Sequence, residues 1–507
     1  MTGGQAAVAV AIDAGIEACF ANAGTTEIHM VEALDRYPAV RSVLGLFEGV
    51  CSGAADGYAR IAGKPALTLL HLGPGYANSA ANQHNARRGF SPIVNLIGDQ
   101  ASWHLAHDAA LTSDIDAIAG WAGWVGRSTS ANDVGAIVGE AIVASTTGAP
   151  GPASAVLAAD HTWEAVTSPL PKVSLGQPAE PDESLVAQAT LALRRPGAAL
   201  IVGGRHISAA TKRAAAAIAA ETGCAIWAGR HASADYGAGA DLPELPYFPE
   251  PLIASLADTS VAVLAGVTEP VCFFGYPDTP SQALPGGCER LSLAGPEHDL
   301  EPTVMAVARA LSAEMPSLDP MPAVDRPTGD LTGASLGQAI IACMPEQAIL
   351  VQEAITNRAG LSAHIAGAVP FTQLNGTGGA IGGGLPMAIG AAVAAPDRRV
   401  VSFQADGSGL YTIQSLWTMA REQLDITVVI INNRSYKIIE VEAQRAGLDP
   451  GTATRALLDL DRPEINFAEL AGGFGMPSAR TSNADELVDL IDTANNETGP
   501  FLIDAVI

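Results

Sequence analysis

Basic residues are scarce in this chain. Its 507 residues hold 27 Lys and Arg against 53 Asp and Glu, a formal charge of −26. Binding a phosphate backbone needs a positive face, so nucleic acid is excluded as a partner. Aromatic residues are also few, at 5%, which favours close helix–sheet packing over a large aromatic core. No apolar run reaches the ~20 residues of a bilayer span, and the first residues carry no basic segment ahead of an apolar one. Neither a membrane span nor a secretory leader is expected. The six cysteines (Cys19, Cys51, Cys224, Cys272, Cys288, Cys343) include no CxxC pair. Their scatter excludes a zinc ribbon or a disulfide framework and predicts reduced, mostly buried thiols in a cytoplasmic protein.

What is abundant is small and apolar: 53 glycines and 48% hydrophobic residues. The length exceeds one ordinary core and implies about three domains. Apolar strands alternate with Ala-rich helical stretches, the pattern of α/β domains with doubly wound parallel sheets. The first block covers residues 1–166, with strand candidates "SVLGLFE", "PALTLLHLG" and "SPIVNLIGD". Its Pro-rich linker, 167–184, leads to a second block, 185–312, with "GAALIVGGRHI", "CAIWAG", "SVAVLAG" and "CERLSLAG". A second linker, 313–330, precedes a third block, 331–507, ending on "GPFLIDAVI". No short repeat is visible, yet the first and third blocks have the pattern of two copies of one architecture.

The third block carries the sharpest signal. The strand "RRVVSFQA" delivers Asp406-Gly407-Ser408, a helical stretch "LYTIQSLWTMARE" follows, and the strand "DITVVIINN" closes on Asn432-Asn433. Ligands of parallel sheets bind outside the strands' carboxyl ends. A helix start offers free N–H groups to a phosphate, and Gly407 permits close backbone approach. Asp406 and Asn433 are hard oxygen donors of the kind that hold Mg²⁺ together with substrate phosphates. The residues taken alone also allow a plain N-cap and an asparagine turn.

This motif resembles the thiamine-diphosphate signature of the 2-oxo acid decarboxylase and carboligase family, which includes acetolactate synthase, pyruvate oxidase and benzoylformate decarboxylase. Ala405 stands where the family usually has Gly. "LFEGVCSGAADGYARIAGKPALTLLHLGPGYANSAAN" and "LNGTGGAIGGGLPMAIGAA" resemble two further family stretches, in the expected order. The resemblance implies three domains: an N-terminal pyrimidine-binding domain, a central Rossmann-like domain and a C-terminal diphosphate-binding domain. It implies that thiamine diphosphate is held by Thr356, Gly379, Ile381, Asp406, Gly407, Ser408, Asn433 and Ser435. Mg²⁺ would be bound by the side chains of Asp406 and Asn433 and by the Ser435 carbonyl.

By the same resemblance Glu48 is the glutamate that hydrogen-bonds the aminopyrimidine N1′. We read Glu48 as the end of the strand "SVLGLFE", where apolar neighbours would raise its pKa. A glutamate at a helix N-terminus is the other reading of the residue. His71 and Thr25 match the substrate-facing histidine and serine of benzoylformate decarboxylase, which makes His71 the acid–base candidate. His104, His107 and Asp108 are either further substrate-facing groups or a polar surface loop.

The activity implied is thiamine-diphosphate- and Mg²⁺-dependent decarboxylation or carboligation of a small 2-oxo acid, as in an acetolactate synthase-like enzyme. A benzoylformate decarboxylase-type activity is the alternative. A non-catalytic cofactor-binding paralogue or partner subunit is the alternative of another class. Glu48 and Asp406 would belong to halves of one site in different subunits, so a homodimer or homotetramer is expected. FAD is not expected, because the middle block is compact and "IVGGRHI" is a weak glycine pattern.

Overall fold

The computed structural model describes residues 1–237, 241–317 and 322–507. The second linker therefore includes residues 318–321, which lie outside the described residues. The chain forms two compact units. One comprises Met1–Thr146, Gly151–Leu175 and Ala323–Ile507; the other comprises Thr147–Pro150 and Gly176–Pro322.

The first unit contains two parallel sheets. The N-terminal sheet is built from β1 (Ala18–Asn22), β2 (Arg41–Leu44), β3 (Ala66–Leu70), β4 (Ile93–Asp99), β5 (Trp124–Arg127) and β6 (Pro152–Ala158), in the order β2-β1-β3-β4-β6-β5. Every residue of β3, β4 and β6 is buried. Helices cover both faces, so these strands read as unbroken apolar runs rather than alternating ones.

In the second unit, the strands are β7 (Ala198–Val202), β8 (His206–Ile207), β9 (Ala225–Ala228), β10 (Ser233–Tyr236), β11 (Val261–Ala265) and β12 (Glu289–Ala294). Four of them form a parallel sheet ordered β12-β11-β7-β9, and β8 pairs with β10.

The C-terminal sheet of the first unit follows with β13 (Ile349–Glu353), β14 (Phe371–Asn375), β15 (Val400–Ala405), β16 (Ile426–Asn432), β17 (Ser478–Thr481) and β18 (Phe501–Val506). Its order is β14-β13-β15-β16-β18-β17. Numbered from its own first strand, this is the order of the N-terminal sheet: second, first, third, fourth, sixth, fifth. The two sheets are copies of one topology, as the alternation of the first and third blocks indicates.

The two copies share a core. The helix after the second strand of each sheet, Glu48–Ala62 and Gly384–Ala394, packs against its counterpart. Val50, Ala54 and Tyr58 join Leu385, Met387 and Ile389 in one apolar cluster. The approach is backbone to backbone. A Cβ on Gly57 would lie 2.1 Å from the Met387 carbonyl oxygen, and one on Gly390 would lie 1.8 Å from that of Ala54. Across the same contact Arg60 forms a buried 2.7 Å ion pair with Asp56 and donates to the Asn375 carbonyl, also at 2.7 Å.

Two local expectations are corrected. The strand read as "SVLGLFE" stops at Leu44, and Glu48 is the first residue of the helix Glu48–Ala62. A strand continued to Glu48 would have turned that carboxylate into the sheet; the chain instead breaks at Gly45 and places it at the positive end of a helix. The helix read after Asp406 is also interrupted. A turn Asp406–Gly409 leads through a 3₁₀ segment to the helix Ser415–Glu422. All six cysteines are unpaired and buried, and burial pushes the Cys19 thiol up to about 12.

Glycine packing generates a stability test. Gly390→Ala should destabilise the protein by ~1–3 kcal/mol, the usual cost of overpacking. Gly472→Ala, on an exposed helix position with nothing within 4 Å of its added methyl, should be neutral or stabilise by up to ~1 kcal/mol. Urea unfolding of both variants checks the contrast, and equal behaviour would remove the helix contact as a constraint.

Candidate active site

On the N-terminal sheet, the carboxyl ends of β1 and β3 and the start of the helix Glu48–Ala62 converge. His71 follows β3, and its Nδ1 lies 2.7 Å from Oε2 of Glu27, a fully buried carboxylate. Glu27 is held in turn by the Gly24 N–H at 2.8 Å and by the Thr26 hydroxyl at 2.7 Å. A Cβ on Gly24 would sit 2.2 Å from His71 Nδ1, so the ring occupies space that only glycine leaves. Thr25 is the next residue and is exposed. The Glu48 carboxylate accepts from Asn78 Nδ2 at 2.9 Å. Gly75 reports how close Glu48 and His71 are: its Cβ would lie 3.0 Å from Glu48 Oε1 and 3.4 Å from His71 Cβ. Four side chains thus meet here: Glu27, Glu48, His71 and Asn78, beside Thr25.

The C-terminal sheet assembles a second group. Asp406 is buried after β15; its Oδ1 accepts from the Gly407 N–H at 2.7 Å and its Oδ2 from the Arg434 N–H at 2.6 Å. Burial raises its pKa, opposed by the backbone donors of Gly407, Arg434 and Asn433. A buried carboxylate of this kind gains from a bound cation. Arg434 takes a left-handed φ of +56°, reversing the chain so that the Asn433 side chain accepts from the Ser435 N–H at 3.0 Å. The pairing of β15 with β16 brings Asp406 and Asn433 together. Among the described residues no cluster of three His, Cys, Asp or Glu could hold a metal alone. One carboxylate beside amide and carbonyl oxygens suits a Mg²⁺ ion that takes its remaining ligands from phosphate and water.

The glycine-rich segment around Ile381 joins this group. Gly382 has φ +91°, and a Cβ there would lie 2.5 Å from Tyr411 Cβ and 3.6 Å from the Ser408 carbonyl oxygen. Gly379 has φ +82° and is exposed, and Ile381 is half-buried. Thr356 stands half-buried in a 3₁₀ turn after β13; its neighbour Ile355 has φ +49°, rare for a β-branched residue. His104, His107 and Asp108 are exposed on the loop after β4 and share no hydrogen bond with this constellation.

Glu48 and Asp406 share no hydrogen bond. The two groups are linked within the chain by the helix Leu72–Arg88, which carries Asn78 near its middle. Near its C-terminal end, Asn85 receives the Ala380 N–H at 3.2 Å and donates to the Ala380 carbonyl at 2.8 Å, while His84 Nε2 meets the Gly378 carbonyl at 3.0 Å. Sequence reasoning missed Glu27, Asn78 and Asn85. Glu27 had one available signal, a lone carboxylate two residues after the already selected Thr25. The others have no local signature, because their partners lie far away in sequence.

These features belong to a parallel α/β enzyme with a cofactor seat at the strand ends. Residues 1–119 match the thiamine pyrophosphate enzyme N-terminal TPP binding domain, and residues 361–505 match the C-terminal TPP binding domain of the same family. The chain is 44% identical over its whole length to a Mycobacterium tuberculosis protein provisionally named acetolactate synthase large subunit IlvX, covering 99% of it. It is 26% identical, over 97% of its length and 96% of the relative, to benzoylformate decarboxylase of Pseudomonas aeruginosa. Its fold matches the thiamine diphosphate-dependent 4-hydroxybenzoylformate decarboxylase of Rhodococcus jostii RHA1 with a TM-score of 0.84, at 23% identity and 99% coverage of that chain. The chain belongs to the thiamine pyrophosphate enzyme family. Within it, the chain groups with proteins named as acetolactate synthases and benzoylformate decarboxylases, consistent with a carboligase or decarboxylase.

The Glu27–His71 contact can be tested as a unit. Glu27→Gln should lower turnover by about 10²-fold, within the range of general acid–base help. The double variant with His71→Ala should be no slower than His71→Ala alone, since both losses act on one ring. Steady-state kinetics of the three proteins decide it, and additive losses would separate the two residues.

Proposed function

We propose that this protein is a thiamine-diphosphate- and Mg²⁺-dependent enzyme that decarboxylates a small 2-oxo acid and, where an acceptor is present, joins the remaining acyl carbons to it. The observation that carries the reading is the Glu27–His71 pair next to Glu48: an oriented imidazole and a fixed carboxylate side by side. Bound thiamine diphosphate supplies stabilisation of carbanion character at the 2-oxo carbon. The chain supplies the rest. Asp406, Asn433 and the Ser435 carbonyl would hold the metal, and Gly407, Ser408 and Thr356 would hold the diphosphate. Gly379 and Ile381 would contact the ring system.

Glu48 would hold a proton at the aminopyrimidine N1′. Its place at a helix start, steadied by Asn78, supports that role. His71 exchanges a proton with substrate through Nε2 while Glu27 fixes Nδ1. Thr25, exposed beside the ring, faces the substrate carboxylate. A strong proton donor next to the reacting carbon favours aldehyde release, the outcome of a benzoylformate decarboxylase-type reaction. A small or distant donor would favour carboligation.

The working unit in this reading is a homodimer or homotetramer with sites between subunits. The reading includes no FAD, because the middle block is compact and its glycine pattern is weak. No described helix is long and apolar enough to cross a membrane. The unpaired buried thiols suit a reducing, cytoplasmic setting.

Protein reconstituted with thiamine diphosphate and Mg²⁺ should release CO₂ from one member of a panel of 2-oxo acids. The ratio of aldehyde to acyloin assigns the branch, and no CO₂ from any member would overturn the reading. Asp406→Ala should abolish metal-dependent cofactor binding in titration calorimetry; near-wild-type affinity would move the metal elsewhere. Glu48→Gln should bind the cofactor normally yet slow C2–H/D exchange of bound thiamine diphosphate by orders of magnitude, read by NMR.

A further inference from the structure

Glu353, the last residue of β13, is buried, and four donors converge on its two oxygens. The N–H groups of Gly382 and Gly383 reach Oε1 at 3.0 and 3.3 Å, and that of Gly384 reaches Oε2 at 3.1 Å. The fourth donor is Gln404 Nε2, 2.8 Å from Oε2. Three successive backbone N–H groups at a helix start are what an external anion would otherwise occupy. Here an internal carboxylate takes them, and the helix Gly384–Ala394 begins on it.

Gln404 extends the contact. It lies two residues before Asp406, and its Nε2 also reaches Ser408 Oγ at 2.6 Å. The space is closed: a Cβ on Gly384 would lie 2.2 Å from Gln404 Oε1 and 2.9 Å from Glu353 Cβ. A chain of hydrogen bonds therefore runs from the glycine-rich segment through Glu353 and Gln404 to the turn that carries Asp406.

We infer that Glu353 is a positioning residue that, through Gln404, locks the glycine-rich segment 379–384 and the Asp406–Ser408 turn into one preformed seat before any cofactor arrives. This rests on the reading of those two segments as the cofactor's binding elements. A flexible seat would have to be ordered at the expense of binding free energy, whereas a preformed one does not. The carboxylate is needed rather than its amide. A carboxamide offers one acceptor oxygen and turns two N–H donors toward groups that are themselves donors. At least one backbone N–H or the Gln404 amide then faces a donor in a buried site.

The test compares wild type with Glu353→Gln, first without cofactor. Hydrogen exchange followed by mass spectrometry should show the amides of 382–384 exchanging at least about tenfold faster in the variant, with those of β16 unchanged. Thiamine diphosphate with Mg²⁺ should then bind at least about tenfold more weakly by calorimetry. Activity should require correspondingly more cofactor for half-saturation, while kcat at saturating cofactor stays within about twofold of wild type. If the variant does not fold, Gln404→Met keeps the three glycine contacts and removes the bridge. It should loosen the 406–408 amides and weaken cofactor binding in the same direction. Unchanged segment exchange, or faster exchange spread evenly over the whole protein, would overturn the inference. A wild-type protein that itself binds no thiamine diphosphate would instead sink the cofactor reading on which it rests.

Discussion

The contact between the helices Glu48–Ala62 and Gly384–Ala394 sets the terms for the rest of the first unit. Gly57 and Gly390 let backbone meet backbone, at distances where a methyl group would overlap a carbonyl oxygen. Protein interiors transmit small displacements because they are close-packed. Each of these helices begins at a candidate site element: Glu48 opens one, and the glycine-rich segment leads into the other. Holding the helices together therefore fixes the two half-site elements of one chain relative to each other, although they come from different sheets. The buried Arg60–Asp56 pair acts in the same place. Arg60 also donates to Thr377 Oγ1 at 3.0 Å, so one guanidinium ties the first helix to the start of the glycine-rich segment. A buried pair of this kind adds little net stability against an apolar replacement, but it fixes geometry through its bidentate bonds.

Much of this was legible in the sequence, for physical reasons. Strands buried on both faces show as continuous apolar runs, so β3, β4, β15 and β16 were placed within a few residues. Asp406 and Asn433 stood out because each polar side chain directly follows such a run. What the sequence hid depends on contacts between distant segments. Glu353 looks like the ordinary end of a strand until the backbone of residues 382–384 is seen pointing at it. Asn85 is one polar residue among several on its helix, and only the fold brings Ala380 to it. Glu48 reads locally as a strand end because "SVLGLFE" is apolar enough to extend a strand, while Gly45, which breaks it, is a weak signal inside such a run.

The repetition of the two sheets explains why the site has the composition it has. Thr25 follows the first strand of the N-terminal sheet, and Thr356 follows the first strand of the C-terminal one. After the second strands come Glu48 on one side and the glycine-rich segment on the other. After the third strands come His71 and Asp406. Each pair occupies the carboxyl end of equivalent strands, the place where a parallel sheet offers free backbone groups and room for a ligand. The topology supplies the same positions twice, and in the proposed reading the residues placed there divide the chemistry. The N-terminal copy holds groups suited to moving protons: a carboxylate at a helix start and an imidazole held by a buried Glu27. The C-terminal copy holds groups suited to anchoring charge: a buried Asp406, amide oxygens, and glycines whose N–H groups Glu353 has drawn into a fixed arc. Neither copy alone has both kinds of group. An enzyme that must hold a charged cofactor and move protons on it needs the two kinds of strand end to face each other.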